Sequence, residues 1–94
     1  MYISSAALWE MENPDLAERA ERNRLLDRDI ANQQKVVDAT ANAARDMKVL
    51  SLDADRARME LGRTVSRQEV VDFYGRAHRE WTVLRRLKRE RGQW

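Results

Sequence analysis

Seven consecutive residues near the C-terminus, Arg85-Arg86-Leu87-Lys88-Arg89-Glu90-Arg91, place five cations where they can neutralise phosphates. A run of this kind binds nucleic acid by releasing counterions, reads no bases, and loses affinity steeply as salt rises. Cations near the end of a helix also answer its dipole, which is their ordinary structural role. With two cations upstream, the candidate surface for DNA phosphates or an acidic protein face is Arg76, Arg79, Arg85, Arg86, Lys88, Arg89 and Arg91.

Other residues with chemical potential lack the company that catalysis needs. His78 is the sole histidine, set on a helical pattern among Arg76, Arg79 and Glu80, with no triad partner in view. Asp53-Ala54-Asp55 has the look of a metal-binding acid pair. Two residues apart on a helix, however, side chains point roughly 200° away from each other, so chelation would require the helix to break there. Asp27 and Asp29 fail the same geometric test. There is no phosphate-binding loop, no H-E-x-x-H, no G-x-S-x-G and no dinucleotide fingerprint. Without cysteine, thiolate catalysis and Cys-based metal sites are excluded. The expectation is a protein with no catalytic, cofactor-binding or metal-binding residues, no small-molecule substrate and no cofactor, hence not an enzyme.

The elements that carry these residues read as helices. Of the 94 residues, 36% are charged, with only three glycines and one proline, a composition of long helices rather than sheets. Asn13 is a good N-cap, Pro14 fits the first turn, and Asp15 complements the dipole. Residues 1–12 then form an N-terminal arm whose Tyr2, Ile3, Leu8 and Trp9 suit docking, either on its own helix or on a neighbouring subunit. From about 14 to 61 the pattern predicts one helix. Asn23, Leu26, Ile30, Gln33, Val37, Thr40, Ala44 and Met47 follow three-four spacing. A second series, Met47, Leu50, Ala54, Ala57 and Leu61, restarts it after a three-residue shift. This is a broken coiled-coil seam, and a helix of about 47 residues would extend roughly 70 Å, more than a small domain can cover alone.

Residues 62–66 form the expected turn, and a second helix runs from about 67 to 91. Ser66 and Glu69 make a capping box, with Val65 and Val70 as its hydrophobic staple. Val70, Phe73, Tyr74, Ala77, Trp81, Leu84 and Leu87 form one apolar stripe. The fold class is therefore all-α: a long helix followed by a shorter antiparallel one, spanning residues 13–94 as a helical hairpin. About 37 Å of second helix reaches only half of the first, so Val37 to Leu61 is the natural intramolecular partner. Residues 15–36 are left for other copies, and homo-oligomerisation through coiled-coil-like packing is expected. A break in the long helix would convert the hairpin into a three-helix bundle. Trp9, Leu26, Ile30, Val37, Trp81 and Trp94 are the candidate protein-interface residues, since aromatic and buried apolar anchors dominate such contacts.

The net charge of +2 divides unevenly, because residues 62–94 hold nine Arg or Lys against four acids. The C-terminal half is thus the part that meets an anionic partner. The apolar stretch from Met1 to Trp9 is too short to span a bilayer and has no basic n-region, so no membrane partner and a cytoplasmic location are expected.

Ala57 to Leu61, then Gly62, then Thr64-Val65-Ser66-Arg67-Gln68-Glu69-Val70-Val71 and the helix to Leu87 resemble the phage small terminase subunits of the lambda-like DNA-packaging group. The likeness covers Asp38 to Leu87. It implies a viral oligomer in the host cytoplasm that engages duplex DNA for packaging and docks a large terminase subunit, with the hairpin doing the assembly. Members of that group place a helix-turn-helix domain ahead of this region, and residues 1–62 hold no such pair of short helices. The competing class is a helical adaptor, a virion joining protein or a small protein inhibitor with no DNA role. Replacing Arg85, Arg86, Lys88 and Arg89 by Gln separates the two, abolishing duplex binding in the first class and sparing the partner in the second.

Overall fold

A computed structural model describes residues 14–93 and shows three helices: α1, Pro14–Leu52; α2, Ala54–Leu61; and α3, Arg67–Arg91. The described residues contain no strand. The molecule measures 65 × 27 × 15 Å, an elongated all-helical shape that fits a hairpin. The N-terminal arm 1–12, the expected N-cap Asn13, and Trp9 and Trp94 lie outside the described residues.

The expected single helix over 14–61 is two helices, broken at Asp53 (φ −129°, ψ 88°). Its carboxylate accepts the backbone N–H of Arg56 at 3.1 Å, and its backbone N–H donates to the Leu50 carbonyl at 3.3 Å. Aspartate favours this arrangement because its short side chain can take over a backbone partner that a helix interior would deny it. One member of the supposed acid pair is therefore a helix cap, and the other, Asp55, lies in the first turn of α2 and pairs with Arg58 at 3.2 Å. No group of acids, histidines or cysteines among the described residues can hold a metal ion.

The break changes what the apolar residues of α2 can reach. Ala57, fully buried, joins Met47, Leu50 and Val65 in the core, with Val70 and Phe73 packed against them. Gly62 then ends α2 in the left-handed region (φ 72°), donating its N–H to the Arg58 carbonyl at 2.9 Å. A single bond of that kind is the simple left-handed cap, which suits glycine because it has no Cβ to clash. The turn leads to Ser66, whose hydroxyl accepts the Glu69 N–H at 3.1 Å, and the staple residue Val65 is buried. The other half of the expected capping box is replaced: the Glu69 carboxylate is held by Arg63 at 2.7 and 2.8 Å.

Because α2 leaves the line of α1, α3 pairs with α1 from about Leu50 backwards rather than from Leu61. Its reach shifts accordingly. Arg91 bonds Asp27 at 2.8 Å, and the Gln33 side-chain amide donates to both the backbone and the carboxylate of Glu80 at 2.8 Å. The antiparallel pairing therefore extends ten residues beyond Val37, the limit expected from a continuous first helix. Every member of the predicted seam from Asn23 to Met47 is half-buried or buried. Leu26, Ile30 and Val37, expected as interface residues, are half-buried along the stretch of α1 that pairs with α3. Leu84 (3% exposed) is the buried residue that α3 adds to it. At its end α3 closes with Gly92 (φ 83°), whose N–H donates to Arg89, while Gln93 donates to Lys88. That double bond is a Schellman cap.

Candidate functional site

The cationic run divides once it is wound on α3. At 100° per residue, Arg76, Arg79 and Arg86 fall within about 80° of arc and span about 15 Å along the axis. All three are exposed, as is Arg89 beyond them, and none of the four is ion-paired among the described residues. Arg76 and Arg79 border a shallow hollow of about 270 Å³ with Asp72 and Phe73. The Arg79 guanidinium lies along the helix over Gly75, 3.7 Å from where a Cβ would stand. Arg76, Arg79 and Arg86 are the group best placed to meet a row of phosphates.

The remaining candidates point elsewhere. Arg85, half-buried, lies 5.5 Å over the ring of Trp81, a cation–π contact. Arg91 is tied to Asp27, and Lys88 is half-buried. Seven predicted contact residues thus resolve into one exposed row and several cations engaged within the hairpin.

Trp81 is 38% exposed and stacks on His78, with ring centroids 5.9 Å apart and 28° between planes. Tyr74, two helical turns earlier on that side, is 41% exposed. His78 is exposed and shares this face with Trp81 and Tyr74. On α2, Arg56 Nε donates to the Glu60 carboxylate at 2.9 Å, and this bond, with the Glu60 charge secondarily, raises the pKa of Arg56 above its ordinary value.

The residues that sequence reasoning passed over are apolar and at the turn end. Leu52 is 81% exposed, Met59 88%, Val71 54% and Val49 47%. Leu52 and Met59 lie about 200° from the buried Leu50 and Ala57 respectively, a placement that helical spacing gives because both buried residues belong to the predicted seam. Open grooves flank this end. One, of about 590 Å³, is lined by Val49, Leu50, Leu61 and Phe73 among others; the other, about 400 Å³, runs past Leu52, Val65, Val70 and Val71. No described helix is long and apolar enough to cross a membrane. No family model, curated protein or solved structure matches this chain.

Proposed function

We propose that the chain is a non-enzymatic, self-associating helical component of a DNA-packaging machine of the small-terminase type, whose α3 contacts the phosphates of duplex DNA. The observation that carries the assembly part is a disproportion. Among the described residues six hydrophobic side chains are buried, while ten large ones are exposed. Exposed apolar surface on that scale beside so thin a core marks a protein that completes itself against other surfaces. Support for the phosphate contact comes from the exposed row Arg76, Arg79 and Arg86 and from the resemblance of residues 38–87 to the packaging family. The same reading names a large terminase subunit as partner and the host cytoplasm as its place of action.

Light scattering on a sizing column, at two ionic strengths and several concentrations, tests assembly: a closed oligomer well above the 11.1 kDa chain is expected. Duplex DNA titrated against salt tests the contact. Wild type should show a linear fall of log affinity with log salt, and the triple change of Arg76, Arg79 and Arg86 to Gln should flatten that slope by about two to three. Unchanged binding by the triple variant would remove DNA from the reading. A second reading, a DNA-free helical adaptor, draws on the exposed Tyr74 and Trp81, since aromatic residues anchor protein interfaces. An adaptor keeps its partner through the arginine changes and loses it on Trp81→Ala.

A further inference from the structure

We propose that a second copy of this chain docks in the groove beside the kink between α1 and α2, seating its Leu52 on the Val65–Val70–Val71 wall while its own groove receives Leu52 in return. This deepens the self-association reading above and rests on it. Leu52 is the last residue of α1, about 200° around that helix from the buried Leu50, and is 81% exposed. Immediately beside it opens the groove of about 400 Å³ that Leu52 itself helps to line, with the buried Val65 and the 54% exposed Val71 in its walls. A protruding aliphatic residue adjacent to an apolar groove is the arrangement a two-fold contact requires, because each copy must offer both the knob and the hole on one patch.

Charge favours the same occupant. Lys48 and Arg67 line the groove, while Asp53, whose carboxylate is engaged by no cation among the described residues, follows Leu52 directly. A two-fold axis passing near Leu52 brings the cationic rim of one copy over Asp53 of the other. A polyanion such as DNA would gain from the cations and not from the apolar walls. The most exposed aliphatic side chains among the described residues, Met59 (88%), Leu52 (81%) and Val71 (54%), all lie at the turn end.

The test compares wild type with Leu52→Asp by concentration-dependent light scattering, with circular dichroism to show that helicity is kept. Assembly of the wild type, with dissociation of Leu52→Asp to the 11.1 kDa chain and a dissociation constant weakened tenfold or more, is the expected result. If both assemble equally, self-association stands and this docking mode is overturned. If wild type remains monomeric at every concentration, the self-association reading itself fails and the docking fails with it. Should Leu52→Asp lose helicity, cysteine pairing replaces it, since the chain contains no cysteine of its own. Oxidation of mixed Leu52→Cys and Val71→Cys copies should then give a covalent dimer well above that from a Glu18→Cys control, and no excess over that control would overturn the proposal.

Discussion

The two ends of the hairpin are held by different physics. At the turn end, Met47, Leu50, Ala57 and Val65 form a continuous apolar cluster, and the charges on and after α2 are matched locally through Arg56–Glu60, Arg58–Asp55 and Arg63–Glu69. At the far end a single buried leucine, Leu84, works beside polar locks, Gln33 to Glu80 and Arg91 to Asp27. Exposed unpaired cations lie on α3, and the most exposed aliphatic residues lie at the turn. Burial of apolar area is the stronger and less salt-sensitive of these devices. The comparison therefore assigns stability and copy-to-copy contact to the turn end, and alignment of α3 and its cations to the far end.

The largest effect that can break this division is a cavity. Leu50→Ala removes a side chain that is 6% exposed inside the cluster, and about 3–5 kcal/mol of destabilisation is expected, enough to abolish a cooperative urea transition in so small a domain. Leu84→Ala should cost about 2–3 kcal/mol, because half-buried neighbours let the site collapse or admit water. Equal losses for the two variants in urea unfolding would show that stability is spread along the hairpin.

Glycine gives a pair of opposite sign. Gly62→Ala puts a Cβ at φ 72°, where nothing crowds it but the backbone itself is strained, so a loss of about 1–2 kcal/mol is expected at the turn end. Gly75→Ala lies mid-helix in α3, where the new Cβ meets only the movable Arg79 guanidinium at ordinary contact distance. A gain of about 0.5–1 kcal/mol should follow in the same melts. At the junction, Ser66→Ala should cost about 1 kcal/mol by leaving the Glu69 N–H without its cap. A smaller loss would mean that the Arg63 bridge to Glu69 already fixes the start of α3.

Much of this was legible from residue spacing. The seam from Asn23 to Met47 turns inward, as do Val70, Phe73, Ala77, Leu84 and Leu87 of the predicted stripe, whereas its Tyr74 and Trp81 are exposed at the edge of that face. Gly62 and Ser66 marked the turn for the conformational reasons that their structures display. The break at Asp53 was not read, since aspartate tolerates both a helix face and a cap and no glycine or proline accompanies it. Missing it shortened the expected pairing within the chain, which was placed from Val37 to Leu61 and reaches back to Asp27. The cationic row was half legible: composition located the charges, but only the engagement of Arg91 by Asp27 and of Arg85 by Trp81 separates the structural cations from the exposed ones.

The smallest expected effects probe the far end, where thermodynamics and alignment come apart. Asp27 and Arg91 are 49% and 31% exposed at their side chains, so Asp27→Asn should cost no more than about 1 kcal/mol and should lose its effect at high salt. Gln33→Ala removes a donor shared by the Glu80 carbonyl and carboxylate, both of which can turn to water at a half-buried site, and global stability should again fall by about 1 kcal/mol or less. Local opening should respond more. Leu84 is the one buried side chain that the described part of α3 supplies there, and the polar bonds lie around it, so amide exchange in residues 84–93 should accelerate while exchange around Met47 and Leu50 is unmoved. Acceleration at both ends would mean that the hairpin opens as one unit, and the polar lock would then contribute to overall stability rather than to the placement of α3 and its cations.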